Sequence, residues 1–130
     1  MDGEGIFRMK LAPSLADLAV ARRFVRDRLD GAPREVVSDL EIIVSELLTN
    51  AVVHGPPGPL GIELEQQASV VTLTVDSPNP GTDLADADTW SVADVDQITG
   101  RGLGIVRRLA DDVSVARTSN SLSITVRRFY

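Results

Sequence analysis

Glu46, Asn50 and His54 recur at every fourth residue, a spacing that stacks them along one line of a helix surface, one turn apart. At 100° per residue that line runs beside the apolar stripe of the same segment, so the three polar groups sit at the rim of a core where a cleft can desolvate them. The same residues also fit a solvated helix edge making ordinary surface hydrogen bonds. A second candidate is Gly100-Arg101-Gly102-Leu103-Gly104 at a helix start, where bare backbone amides and the positive helix end can accept a phosphate. The same glycines would equally serve a flexible, closely packed hinge. A third is Asp76, which follows the apolar run Val71 to Val75 and precedes Ser77-Pro78-Asn79-Pro80. A strand-end carboxylate pointing into a cleft can accept a hydrogen bond from an exocyclic amine such as that of adenine, although Asp before Ser-Pro is also a good turn former.

These residues need elements to position them. Ile6, Met9 and Leu11 suggest a short edge strand stopped at Pro13, after which Ser14 caps a helix. Leu18, Ala21, Val25 and Leu29 give that helix, Leu15 to Leu29, one buried face, and Arg22, Arg23 and Arg26 give it an Arg-rich exposed one. Pro33 suits the first turn of a second helix, whose stripe Val36, Val37, Leu40, Ile43, Val44, Leu47, Leu48 and Ala51 carries Glu46 and Asn50 at its edge. Gly55-Pro56-Pro57-Gly58-Pro59 ends it. Alternation in Ile62 to Glu65 and in Val71 to Val75 predicts two adjacent antiparallel strands. Ser77 to Thr99 lacks periodicity and holds two prolines and five aspartates, which predicts a long loop of the kind that serves as a lid or binding loop, with Trp90 as its pin or as a partner anchor. A short helix with Ile105, Val106, Leu109 and Ala110 follows, then strands over Asp112 to Ala116 and Leu122 to Phe129. The order predicts an α+β fold with helices on one face of a mostly antiparallel sheet.

Composition narrows the function classes. At 130 residues, 43% hydrophobic and 25% charged, the chain reads as one soluble globular domain whose core needs no staple. With no cysteine and one histidine it has no thiolate or multi-histidine metal site. No window approaches a membrane span and Met1-Asp2-Gly3-Glu4 has no signal-peptide character, so the cytoplasm is the expected location. A net charge of −6 argues against direct nucleic-acid binding but leaves room for a small anion bound locally. A Walker loop is excluded because Lys10 is the only lysine. Too little chain follows Gly104 for a Rossmann unit.

The three features occur in an order that resembles a known family. The run Glu46-Leu47-Leu48-Thr49-Asn50-Ala51-Val52-Val53-His54-Gly55 is similar to the N box of the GHKL ATPases, the superfamily of gyrase, histidine kinases and MutL. Asp76 falls where the first glycine box begins, and Gly100 to Gly104 resembles the second. The likeness covers nearly the whole chain. Within the superfamily, Ser45-Glu46-Leu47-Leu48-Thr49-Asn50-Ala51 in a chain of this size most resembles the bacterial anti-sigma factor serine/threonine kinases and their actinobacterial relatives.

The resemblance implies a Bergerat two-layer α/β sandwich with a mostly antiparallel, mixed sheet, in which ATP and Mg²⁺ lie between the N-box helix and a lid over about residues 77–99. Asn50 becomes the Mg²⁺ ligand through its amide oxygen, a hard donor, and Glu46 the general base that takes the proton of an attacking hydroxyl. Asp76 reads the adenine amine. His54, Gly100, Arg101, Gly102, Leu103 and Gly104 are the other nucleotide-binding positions, with Arg101 placed to neutralise phosphate charge. Two boxes depart from the family. Ser77, Pro78, Asn79 and Pro80 stand where glycines usually follow the aspartate, as in many actinobacterial members. Ser119-Asn120-Ser121-Leu122-Ser123 replaces the usual Gly-Thr, leaving Ser123 where a threonine would contact Asp76 and adenine.

The function implied is an ATP-dependent kinase that phosphorylates an anti-sigma antagonist and binds a sigma factor. The alternative is a partner-binding regulator of the same fold with weak or no ATP turnover. Members of this family commonly form homodimers, and the Arg-rich helix offers a surface for one.

Overall fold

The computed structural model describes residues 5–12, 14–78, 102–118 and 120–130, so the expected lid beyond Pro78, Trp90 within it, and Gly100 and Arg101 lie outside the described residues. The elements run β1 (Gly5–Leu11), a 3-10 turn (Leu15–Asp17), α1 (Leu18–Arg28), α2 (Arg34–His54), β2 (Leu60–Gln67), β3 (Val70–Pro78), α3 (Gly102–Leu109), β4 (Asp112–Arg117) and β5 (Ser121–Phe129). The strands form one sheet in the order β1-β2-β3-β5-β4. Every pairing among the described residues is antiparallel, with no parallel pair to make the sheet mixed.

Alternation decides which face of the sheet is covered. Leu60, Ile62 and Leu64 of β2, Val71, Leu73 and Val75 of β3, and Leu122, Ile124 and Val126 of β5 are buried, while the residues between them are more exposed. Successive strand side chains point to opposite faces, so these apolar sets share one face and the helices pack there. Val36, Leu40, Ile43, Val44, Leu47 and Leu48 of α2 meet them in a single core with Ala21, Phe24 and Val25 of α1 and Val106 of α3. The result is the two-layer α+β arrangement that the sequence predicts.

Local chemistry accounts for the helix ends. Ser14 Oγ accepts a hydrogen bond from the Ala16 amide at 3.1 Å, and the 3-10 turn it caps runs directly into α1. Pro33 sits one position earlier than expected, at the N-cap of α2. At the other end of α2 the Gly55 amide donates to the Ala51 carbonyl at 3.2 Å, and a Cβ on Gly55 would lie 2.6 Å from that same oxygen. Gly55→Ala therefore forces the backbone to shift and is expected to cost about 1–3 kcal/mol, read as a lower denaturant midpoint with an unchanged slope.

Polar ties fasten the layers at the end away from Gly55. Arg128 of β5 donates to Asp39 of α2 at 3.0–3.1 Å, to the Phe129 carbonyl at 2.8 Å, and at 3.5 Å to Asp111, whose carboxylate also accepts the Phe129 amide at 2.6 Å. Gln66, a buried polar side chain on the core face of β2, donates to the Asp30 carbonyl and to the Tyr130 hydroxyl at 2.9 and 2.8 Å. A buried amide so satisfied carries no desolvation penalty for its donors.

Candidate functional site

Glu46 and Asn50 project from the same edge of α2, one turn apart, and both are half-buried. They flank the stripe that enters the core, as helical geometry requires. Asn50 Nδ2 is buried and has no hydrogen-bond partner among the described residues. Such an orphan costs about 1–3 kcal/mol when nothing satisfies it, so the amide marks a place where a polar group from outside the fold is wanted. His54 closes α2 at the expected fourth-residue step, and only its backbone position is described.

Glu46 lines a groove of about 350 Å³ on the outer surface between α1 and α2, together with Arg22, Ser38, Glu41, Ile42 and Ser45. Two cross-helix contacts build its walls. Arg22 donates to Ser45 Oγ at 3.2 Å, and Arg26 pairs with Glu41 at 2.9 Å. The arginines that read as a free exposed face in the sequence are thus partly committed to α2, and Arg22 arrives beside Glu46. Its signal was its place next to Ala21, at the flank of the buried face of α1.

The glycine-rich segment enters helix earlier than expected. Gly102 and Gly104 both lie in the first turn of α3, with Gly104 buried, and of Leu103 only the backbone is described. α3 packs along α2 and holds Val106 in the core, with Ala110 buried just after its end. α1 meets α2 on the side of Ser45, through Arg22. The long helix that carries the Asn50 amide thus packs against the helix whose first turn holds the two glycines.

Asp76 is placed differently. β3 does not stop at Val75 but continues through Pro78, because Ser121 and Leu122 of β5 pair with Pro78 and Ser77. The expectation that the loop begins at Ser77 is corrected accordingly. The register has no bulge, so Asp76 is out of phase with Val71, Leu73 and Val75 and its carboxylate lies on the sheet face opposite the helices. There Ser123, its directly paired residue, donates a hydrogen bond to Asp76 Oδ1, just as Thr74 meets Thr125 at 3.1 Å one step along the same face. The structure brings Asp76 and Ser123 together and does not bring Asp76 to the side of Asn50. A second cleft of about 360 Å³ at this end is lined by Lys10, Pro59, Leu60, Gly61, Asp76, Ser77, Pro78, Asn120 and Ser121. The residue of β3 that shares the helix-side parity here is Ser77, which the sequence reading passed over although the alternation of Val71, Leu73 and Val75 points to it.

No group of three or more histidine, cysteine or carboxylate side chains able to hold a metal occurs among the described residues, and none of the described helices is long and apolar enough to cross a membrane.

The comparisons agree with this arrangement. No curated protein matches the chain significantly. Among solved structures, the crystal structure of the RsbU and RsbW domains of Rv1364c from Mycobacterium tuberculosis is similar, with a TM-score of 0.65 and 15% identity over 96% of this chain. This chain spans 32% of that one. The profile of the histidine kinase-like ATPase domain matches residues 11–128. With Glu46 and Asn50 on the edge of the long helix, the glycines in the first turn of α3, and that match across nearly its full length, the chain belongs to the histidine kinase-like ATPase family.

Proposed function

We propose that the chain binds ATP with Mg²⁺ along the Asn50 flank of α2, and that it acts as an anti-sigma-factor-like serine/threonine kinase whose substrate is an anti-sigma antagonist and whose second partner is a sigma factor. The observation that carries the nucleotide reading is the buried amide of Asn50, unpartnered among the described residues, on the helix against which α3 packs. Turning the amide about its last torsion exchanges nitrogen for oxygen, and the oxygen is the hard donor that Mg²⁺ selects. The run Ser45 to Ala51 supports the kinase assignment. When bound, Mg·ATP supplies a transferable phosphoryl group with part of its charge neutralised.

The residues of this chain have separate tasks. Asn50 holds the metal. Gly102 and Gly104 leave the amides of the first turn of α3 open to phosphate oxygens, and Gly100 and Arg101 precede them in sequence. His54 and Leu103 complete the nucleotide-binding set. Glu46, one turn before Asn50 and open to the α1–α2 groove, accepts the proton of a substrate hydroxyl. Arg22 lines the same groove.

A second reading, a partner-binding regulator with weak or no turnover, draws on one observation. Asp76, the carboxylate expected to read adenine, lies on the opposite sheet face, bound by Ser123.

Thermal unfolding tests nucleotide binding. With Mg·ATP at about 100 times its dissociation constant the fold should gain about 2.7 kcal/mol, a rise in Tm of about 5–10 °C. Asn50→Ala should remove the part of that rise that depends on magnesium. A wild-type Tm unmoved by millimolar Mg·ATP would sink the reading. Radiolabel transfer from ATP to an antagonist protein then separates kinase from silent regulator.

A further inference from the structure

The position of Asp76 bears on which base the site accepts, an inference that rests on the nucleotide reading above. α2 ends at His54 and leads through Gly55 to Pro59 into β2, whose Gly61 pairs with Asp76. Gly58, at φ +153°, lies so close to Pro78 that a Cβ there would sit 2.6 Å from its ring. The Asn50 end of α2 and the Ser77–Pro78 end of β3 are therefore at the same end of the sandwich. At that end the unbroken register assigns helix-side parity to Val75 and Ser77 and open-face parity to Asp76. On that open face Ser123 donates a hydrogen bond to Asp76 Oδ1 across the pair.

We propose that Asp76 takes no part in base recognition, that Ser77 is the polar side chain β3 offers to the nucleotide face, and that the site consequently discriminates little between adenine and guanine nucleotides. A carboxylate accepts a hydrogen bond from the 6-amino group of adenine and confronts the 6-oxo group of guanine lone pair to lone pair. A serine hydroxyl both donates and accepts, so it rotates to suit either group. A hydrogen bond to a charged partner contributes about 1.5–3 kcal/mol, which converts to about 10- to 150-fold in affinity. That is the selectivity a helix-side carboxylate would confer and that this chain forgoes.

The test is titration calorimetry of the full chain with Mg·ATP and with Mg·GTP, repeated on Asp76→Ala and Ser77→Asp. The expected result is that the wild-type affinities for the two nucleotides differ by less than about tenfold, that Asp76→Ala changes ATP affinity by less than about fivefold, and that Ser77→Asp widens the ATP preference to about tenfold or more. An ATP preference beyond tenfold in the wild type, or an Asp76→Ala loss beyond fivefold, overturns the inference and leaves the nucleotide site standing. Failure of both nucleotides to bind the wild-type chain instead overturns the nucleotide reading itself.

Discussion

Glu46→Gln is expected to leave Mg·ATP affinity within a few-fold of wild type while phosphoryl transfer to the protein substrate falls about a hundredfold or more. Glutamine keeps the size and hydrogen-bonding reach of the side chain and removes its basicity. Glu46 faces the α1–α2 groove, whereas Asn50, one turn on, carries the buried unpartnered amide. In the proposed mechanism Glu46 acts on the acceptor hydroxyl and not on the nucleotide, so its contribution is expected to arise mainly in the transition state. Single-turnover transfer measured beside calorimetric ATP affinity separates the two effects. An equal loss in both would assign Glu46 to organising the metal or the helix edge.

Leu40→Ala is expected to cost about 2–5 kcal/mol of stability, the largest effect of any single substitution considered, and to lower Tm by about 10 °C. Leu40 is 0% exposed at the middle of α2, where it faces the sheet, and the cavity left by its truncation is walled by β-strands that cannot collapse inward. Ile42, two residues on and 44% exposed, is the internal control, since its alanine variant should lie within about 0.5 kcal/mol of wild type. Denaturant unfolding of both proteins checks the pair. A Leu40→Ala cost below that of Ile42→Ala would mean that α2 presents a different face to the sheet.

Much of this architecture is written in local periodicity. Apolar residues at three- and four-residue spacing specify α1 and α2 because only one stripe of a helix can be buried, and Val71-Thr72-Leu73-Thr74-Val75 specifies a strand because alternate side chains point to opposite faces. The stacking of Glu46 on Asn50 beside the α2 stripe follows from the same arithmetic. The parity of Asp76 was equally legible, since it follows directly from the alternation of Val71, Leu73 and Val75.

Other features depend on residues far apart in the chain, and no local pattern could supply them. β3 extends to Pro78 because β5 brings Leu122 and Ser121 alongside, so the end of one strand is decided by its partner. Arg128 meets Asp39 across a separation of 89 residues, and Gln66 is tolerated in the core only because Asp30 and Tyr130 converge on it. The sequence by itself therefore determined which stretches become helix or strand and which side of each is apolar, since those follow from bonds between near neighbours. The tertiary structure alone decided that Arg22 lines one groove with Glu46, that the Asn50 amide has no partner among the described residues, and that Ser123 engages Asp76 on the far face, since each of these depends on elements being pressed together by a core they share.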